Sequence, residues 1–400
     1  MNEQAFSNLT DLELLIATSA TIDVGPGYPQ VNLPDWLDAV VRDVEHVLAG
    51  YRMPPGVTLH EANGWHDDLL KAACRYIGID EEHSRNGFVT FSGSLALDRA
   101  IASQVYDGGM VITTQPSIDI VTAMVRENPT VKMVHVPTDD DFHVDVEGIT
   151  EQIDLTTKMI AITSPENPTG AVMGTTQLKE LVELAVELEI TLLFDQCFST
   201  VNPFGIDIPL LPNYAVDGLD WLFVWDTGKT FGLNEEKLGF IFCSDSLRRD
   251  VQDRMNVTQF GVARRQKLLF REILDTARSE RYDAFLSELL IENFEECTRA
   301  TSSLPIRPLV PEAASMLLFD VSDLPGASTD AQFCDRLLHE QGVGLIKVRD
   351  FFYPAPDGEK PEGWADYARM AMARNPEVIT MAMGRIAQFC ESLSDPVVRV

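Results

Sequence analysis

The sequence predicts an α/β protein in which helices cover both faces of a mainly parallel sheet, with a smaller α+β domain beside it. Two observations support this prediction. From residue 88 onwards, short apolar and β-branched runs alternate with amphipathic stretches, which is typical of parallel strands buried on both faces. After about residue 245 the pattern changes to longer helices and then to a short mixture of strands and helices.

The elements follow in order along the chain. Seven buried strands are predicted for the large domain, at 88–91, 110–113, 131–135, 159–163, 191–194, 221–225 and 240–243. Amphipathic helices are predicted between them and after them, at 95–105, 118–127, 175–189, 247–257, 263–278 and 282–300. The smaller domain has predicted strands at 315–319 and 343–347, helices at 330–341 and 376–392, and a loop rich in Pro and Gly at 352–364.

These patterns divide the chain into three parts. We predict an N-terminal segment over 1–45 that belongs with the small domain, a large domain over 46–285 and a small C-terminal domain over 286–400. A chain of 400 residues is long enough for this arrangement.

Composition excludes several classes of function. The chain carries 62 acidic and 31 basic residues, so its formal net charge is −31, which disfavours a nucleic-acid or anionic-membrane partner. No apolar run approaches the roughly 18 residues of a membrane span. The first residues lack the features of a signal peptide, and the six cysteines are widely spaced, so a cytoplasmic protein with reduced cysteines is expected.

A lysine lies just beyond the strand predicted at 221–225, in a position where α/β folds expose functional groups. This residue is Lys229, in the segment Asp-Thr-Gly-Lys over 226–229. The letters Gly-Lys-Thr suggest a phosphate-binding P-loop, but the first glycine of that motif would fall at Phe223, which excludes it. A desolvated lysine at such a position can form a Schiff base, whereas a solvated surface lysine is the alternative.

Three further polar segments also lie beside predicted strands. Ser92-Gly93-Ser94 separates a strand from a helix, Ser-Pro-Glu-Asn-Pro-Thr-Gly follows a strand at 164–170, and Asp195 ends the next strand. Together with Lys229 and a second lysine eight residues later, Lys237, this order resembles the fold-type I pyridoxal 5′-phosphate (PLP) enzymes of the aspartate aminotransferase superfamily. The resemblance extends over roughly residues 8–390 and implies PLP as cofactor and a homodimer.

The resemblance implies a role for each matching residue. Lys229 would hold PLP as a Schiff base and later move protons, while Asp195 would keep the pyridine nitrogen protonated. Asn167 would hydrogen-bond the ring hydroxyl. Ser92, Gly93 and Ser94 would bind the phosphate at a helix N-terminus, although such a triplet by itself is often only a helix cap. Lys237 would add positive charge to the phosphate site where the family usually has an arginine.

The C-terminal third of the chain contains a candidate residue for substrate binding, and three other positions depart from the usual aminotransferase pattern. Arg369, within Tyr-Ala-Arg-Met-Ala-Met-Ala-Arg over 367–374, resembles the family's arginine that binds the substrate carboxylate, and a surface arginine is the alternative. Ile118 stands where many aminotransferases stack an aromatic ring on the cofactor, and Phe198 replaces a tyrosine. Asp226 replaces a phosphate-binding serine, and because a carboxylate repels phosphate we expect it to have another task.

The altered set resembles the PLP- and oxygen-dependent arginine oxidases and hydroxylases of guanidino natural-product pathways. Glu13 and Asp23 match the carboxylates that bind a guanidinium in that group, whereas a solvated Glu13 on an amphipathic helix is the alternative. The resemblance implies L-arginine or a guanidino relative as substrate, oxidised or desaturated at its side chain with O2 through aldimine and quinonoid chemistry. That group carries an N-terminal histidine, but the corresponding stretch over 25–29 reads Gly-Pro-Gly-Tyr-Pro, so desaturation is favoured over hydroxylation.

Two other reactions stay open from the sequence. One is a PLP-dependent cyclase or dehydratase that converts hydroxyarginine into a cyclic guanidino amino acid without oxygen. The other is a conventional class I/II aminotransferase. No metal site is expected, because the histidines and cysteines have no metal-ligand spacing.

Overall fold

The computed structural model describes residues 9–50, 64–126, 128–259, 261–352 and 364–394. Its strands are β1 (Ile22–Asp23), β2 (Gly87–Thr90), β3 (Gly109–Gln115), β4 (Val131–Pro137), β5 (Thr157–Thr163), β6 (Thr191–Asp195), β7 (Trp221–Asp226), β8 (Gly239–Cys243), β9 (Arg307–Leu309), β10 (Met316–Asp320), β11 (Val343–Gly344), β12 (Ile346–Lys347) and β13 (Tyr367–Ala371). Its helices are α1 (Leu9–Ser19), α2 (Asp35–Gly50), α3 (Gly64–Ile77), α4 (Gly93–Val105), α5 (Asp119–Arg126), α6 (Val146–Glu151), α7 (Thr175–Leu188), α8 (Arg248–Thr258), α9 (Arg264–Ser279), α10 (Tyr282–Thr301), α11 (Asp330–Gln341) and α12 (Pro376–Ser394).

A seven-stranded sheet forms the centre of the fold, with strand order β2-β8-β7-β6-β5-β3-β4. The pairs from β7 through β6, β5 and β3 to β4 are parallel, whereas β8 runs antiparallel to both of its neighbours. All seven predicted strands are present, and the predicted fold class, a mainly parallel sheet sandwiched by helices, is confirmed.

Apolar side chains leave this sheet on both faces, as the continuous apolar runs of its strands predict. On one face, Val111 and Leu193 pack in a core with side chains of α4, α5 and α8. On the other face, Ile112 and Phe194 pack with side chains of α3, α7 and α9. Successive residues of one strand therefore belong to different cores, and burial on both sides holds the strand ends in place.

A second, four-stranded antiparallel sheet has the order β12-β13-β10-β9. The strand β1 pairs with β11 in parallel, which ties the N-terminal segment to the C-terminal third of the chain. The prediction of one strand over 343–347 is wrong, because β11 and β12 belong to different sheets. A Cβ atom added at Gly344 would lie 2.1 Å from Cγ2 of Ile16, so α1 packs directly on the chain where the two strands separate.

Residues 353–363 of the predicted loop lie outside the described residues. The proposed division at residues 45 and 285 stays a prediction. Within the described parts of the chain, no helix is both long and apolar enough to cross a bilayer. All six cysteines are buried thiols, and none is in a disulfide.

Candidate active site

The predicted catalytic and cofactor residues collect at one edge of the seven-stranded sheet. The motif over 164–170 follows β5, Asp195 ends β6, and Asp226 ends β7 shortly before Lys229. Because β5, β6 and β7 are parallel neighbours, their carboxyl ends meet at the same edge, where open α/β sheets bind ligands.

Lys229 ends a short 3₁₀ turn over Thr227–Lys229 and is half-buried. Its Nζ atom lies 5.6 Å from the centre of the Phe198 ring, and Phe198 is itself 3% exposed. An amine that lies over a buried aromatic face is partly shielded from water, so Lys229 differs from a freely solvated surface lysine.

Asp195 is a buried carboxylate, with 6% of its surface exposed. Its Oδ1 atom accepts the backbone N–H of Cys197 at 3.1 Å. Burial raises the pKa of Asp195, and the nearby Asp226 carboxylate adds to that rise, while the Cys197 hydrogen bonds and Lys229 lower it. A nearby cation, such as a protonated ring nitrogen, would stabilise the charged form of this buried carboxylate.

The N-terminus of α4 is held by two side chains. Ser92 is the N-cap, and its hydroxyl accepts the N–H of Leu95 at 3.1 Å. The N–H of Gly93, the first residue of α4, donates to Oδ2 of Asp226 at 3.1 Å. The other oxygen of Asp226 accepts the N–H of Lys229, also at 3.1 Å. The task found for the Asp226 carboxylate is therefore to link this helix end to the lysine turn.

The remaining predicted cofactor residues have different surroundings. The side chain of Lys237 runs against Gly228, where an added Cβ atom would lie 2.7 Å from its Cδ atom, and its ammonium donates to Oδ1 of Asn234 at 3.1 Å. Ser94 is exposed in the first turn of α4, and Ile118 is half-buried just before α5. Lys237 is thus packed beside the turn that carries the lysine.

Arg369 lies in the middle of β13 and is 1% exposed, so it is not a surface arginine. Its guanidinium donates to Oδ1 of Asn167 at 2.9 Å and to the carbonyl oxygen of Gly25, and it lies 5.1 Å from the centre of the Phe351 ring. Among the described residues its Nε atom has no hydrogen-bond partner. Burial lowers the pKa of Arg369 to about 10, so the group still carries its charge at neutral pH.

Two carboxylates from the N-terminal segment lie close to this arginine. Oε1 of Glu13 is 3.7 Å from Nη2 of Arg369, and the Glu13 side chain is 27% exposed. Oδ1 of Asp23 accepts the N–H of Gly25 at 3.0 Å. Burial raises the pKa of Asp23, whereas the Gly25 hydrogen bond and the charge of Arg374 lower it. The site therefore contains two acidic side chains next to two buried guanidinium groups.

Arg374 binds the backbone of the N-terminal segment close to Arg369. Its guanidinium donates to the carbonyl oxygens of Pro26 at 2.7 Å and Tyr28 at 2.8 Å. These bonds attach the N-terminal segment to the chain just after β13, and they hold Gly25 where it accepts from Arg369.

Glu166, which directly precedes Asn167, was not among the predicted site residues. Glu166 is 3% exposed, its Oε1 atom accepts the Asn167 N–H at 2.8 Å, and its Oε2 atom lies 3.3 Å from the Thr114 hydroxyl. Burial raises its pKa well above the usual range. The turn closes at Gly170, where φ is +73° and an added Cβ atom would lie 2.3 Å from Cβ of Pro311. The sequence feature that could have identified Glu166 is its negative charge in a motif that is otherwise uncharged.

These residues fit PLP in most respects. They supply a half-buried amine at Lys229, a buried carboxylate at Asp195 and the N–H groups at the N-terminus of α4. The exception is the Asp226 carboxylate, whose negative charge would repel the phosphate group of PLP.

The chain is similar to known aminotransferases in sequence. The family model of aminotransferase class I and II matches residues 33–386. Human tyrosine aminotransferase is 22% identical over 331 residues, which cover 77% of this chain and 67% of that protein. The probable N-succinyldiaminopimelate aminotransferase DapC of Mycobacterium tuberculosis is 21% identical over 395 residues and 95% of both proteins.

Solved structures show the same fold. The structure of N-succinyldiaminopimelate aminotransferase from Mycobacterium tuberculosis matches with a TM-score of 0.80 and 20% identity, over 95% of this chain and 96% of that chain. A double mutant of Thermus thermophilus aspartate aminotransferase matches with a TM-score of 0.77 and 20% identity, over 97% of both chains. Members of the matched family use PLP. The chain therefore belongs to the aminotransferase class I and II family of PLP-dependent enzymes.

Proposed function

We propose that this chain is an aminotransferase that uses PLP to move the amino group of a free amino acid to a 2-oxo acid. The observation that carries the proposal is the 2.9 Å hydrogen bond between Arg369 and Asn167, which joins a buried guanidinium on β13 to the motif beside Asp195. A guanidinium in such a place suits the two parallel hydrogen bonds of a substrate carboxylate. The names of the relatives favour amino transfer over arginine oxidation.

In the proposed reaction, the chain's own groups hold the substrate and move one proton. Arg369 binds the α-carboxylate and so directs the α-carbon toward Lys229, whose amine removes the α-proton. When bound, PLP supplies an electron-withdrawing ring that stabilises the negative charge left on the α-carbon. Asp195 holds a proton on the ring nitrogen, and the ring of Phe198 limits the access of water to the Lys229 amine.

Amino transfer is tested with the PLP-loaded protein, 2-oxoglutarate and a panel of donors that includes tyrosine, leucine, lysine and arginine. We expect glutamate to form in step with the 2-oxo acid of the donor. Reduction with borohydride should attach the cofactor to Lys229, and Lys237→Ala should retain this attachment while Lys229→Ala loses it. Attachment at another lysine, or product formation that does not need a 2-oxo acid, would contradict the proposal.

A second candidate is oxygen-dependent oxidation or desaturation of L-arginine or a guanidino relative, with cyclisation of hydroxyarginine as its variant. The specific observation in its favour is the pair of carboxylates, Glu13 and Asp23, near Arg369. If a substrate carboxylate takes the place of Glu13 at Arg369, the Glu13 carboxylate becomes available to a cationic side chain.

The second candidate has a separate readout. Oxygen uptake with peroxide formation in the presence of arginine would support oxidation, and a cyclic product without oxygen uptake would support the cyclase. Arginine-dependent glutamate formation from 2-oxoglutarate, with no oxygen uptake, would contradict both reactions and keep arginine as a donor for amino transfer.

The assembly and location of the enzyme are further parts of this proposal. We propose a homodimer in the cytoplasm that acts on a small amino-acid substrate and has neither a nucleic-acid nor a membrane partner. The net charge of −31 supports the last point. Light scattering on the purified protein tests this assembly, because a dimer has about twice the chain mass of 44.5 kDa.

A further inference from the structure

A buried carboxylate occupies the helix end that is proposed to hold the cofactor's phosphate. Asp226 is 4% exposed, and its two oxygens accept the N–H groups of Gly93 and Lys229, each at 3.1 Å. The Asp226 carboxylate packs closely against Gly93, because a Cβ atom added at Gly93 would lie 2.8 Å from Oδ2 of Asp226. The first N–H group of α4 therefore already has an anionic acceptor that belongs to the chain.

A phosphate group needs the same kind of donor. Backbone N–H groups and the helix dipole make the N-terminus of a helix an anion site, and a second anion at that position is repelled by the first. Among the described residues, both hydrogen-bond donors to Asp226 are neutral backbone groups. The ammonium of Lys237 is hydrogen-bonded to Asn234 at 3.1 Å, so the described structure shows it bound to a neutral amide oxygen.

We propose that Asp226 competes with the cofactor's phosphate for the N–H of Gly93, so that this chain binds phosphorylated cofactor weakly whenever the cofactor is not covalently attached to Lys229. This inference rests on the proposed function, since it assumes that the cofactor lies beside Lys229. When the cofactor is not attached to Lys229, only noncovalent contacts would hold it. A contact between its phosphate and the N–H of Gly93 would be one of them, and Asp226 occupies that N–H.

The test uses ligands that cannot form a Schiff base with a lysine. Equilibrium dialysis of the protein freed of cofactor measures the affinity for pyridoxamine 5′-phosphate and for pyridoxamine, which lacks the phosphate. Asp226→Asn keeps the shape of the side chain and one acceptor oxygen, and Asp226→Ser removes the carboxylate together with its bulk. Asp140→Asn is the matched control, because it removes one negative charge from an exposed turn.

In Asp226→Asn and Asp226→Ser, we expect affinity for pyridoxamine 5′-phosphate to rise about tenfold or more, while affinity for pyridoxamine changes by less than about twofold. Asp140→Asn should change neither affinity. In the unaltered protein the phosphate should improve affinity by no more than about tenfold, whereas several charge-assisted hydrogen bonds would together exceed that. This last measurement needs no variant and so does not depend on how a variant folds.

The results that overturn the inference are distinct from those that overturn the proposed function. Unchanged or weaker binding of pyridoxamine 5′-phosphate in a variant with the melting temperature of the unaltered protein overturns the competition. An equal rise for both ligands overturns it too, because the phosphate would then not be the group concerned. Borohydride attachment of PLP to a lysine other than Lys229 overturns the proposed function, while attachment at Lys229 with no effect of Asp226 overturns only this inference.

Discussion

Replacing Glu13 with glutamine tests whether the carboxylate next to Arg369 selects cationic substrates. Oε1 of Glu13 lies 3.7 Å from Nη2 of Arg369, and the Glu13 side chain is 27% exposed. Opposite charges about 4 Å apart attract by about 1 kcal/mol in water and about 4 kcal/mol near a protein surface. Because Glu13 is partly solvated, we take the low end, about 1 kcal/mol, as the interaction that a substrate carboxylate must replace.

The expected effect has opposite signs for two kinds of substrate. Leucine has only its α-carboxylate to offer, so it should bind about fivefold more tightly to Glu13→Gln when the competing charge is gone. Arginine should lose a charge-assisted hydrogen bond to the released Glu13, worth roughly 1.5–3 kcal/mol. The ratio of arginine affinity to leucine affinity should therefore fall about tenfold or more.

The assay is a spectral titration of the PLP-loaded protein with each amino acid. Glu187→Gln, on the exposed side of α7, is the matched control and should leave both affinities unchanged. An unaltered arginine-to-leucine ratio in Glu13→Gln would refute selection by Glu13. Weaker binding of leucine would refute the competition, since Glu13 would then be supporting Arg369 in its binding geometry.

Three further predictions concern the buried charged groups. Asp195→Ala should still bind PLP but should slow amino transfer roughly 100-fold or more, because the ring nitrogen loses its counter-charge; unchanged turnover would remove Asp195 from the mechanism. Arg374→Gln should lower the free energy of unfolding by about 2–4 kcal/mol in denaturant titrations, because the carbonyl oxygens of Pro26 and Tyr28 lose their donors. Burial raises the pKa of Asp330 to about 6, above its usual value of 3.8, so its contribution to stability is present at low pH and is lost as pH rises from about 4 to about 6. The stability of the unaltered protein relative to Asp330→Asn should therefore be greater at pH 4.5 than at pH 7, and a difference that does not depend on pH would contradict this.

Much of the large domain could be predicted from local patterns. The run over 191–195 is apolar except at its ends, and a strand with this composition must be covered on both faces. The resemblance to PLP enzymes grouped Asn167, Asp195 and Lys229, and the parallel order of β5, β6 and β7 agrees with it because the carboxyl ends of these strands meet at one edge. The family motif added the residue types that PLP chemistry needs.

Local patterns were insufficient where two distant segments compete for the same position. The stretch over 343–347 has the composition of one strand, but it is divided between two sheets at the point where Ile16 of α1 lies against Gly344. Likewise, the charge of Glu166 was visible in the motif, whereas its burial against Thr114 depends on how β3 lies beside β5.

The seven strands of the central sheet, the order of the motifs and the family could be predicted from the sequence, because they depend on composition and spacing along the chain. The contacts of the charged side chains depend instead on how distant segments pack together. Asp226 replaces a serine in the motif, but only the approach of α4 to the end of β7 makes it an acceptor for Gly93. Arg369 could be matched to a substrate-binding arginine, yet its contact with Glu13 requires α1 and β13 to meet. Electrostatic partners depend on distances of a few ångströms between segments that are far apart in sequence, and such distances follow from the packing of the whole chain.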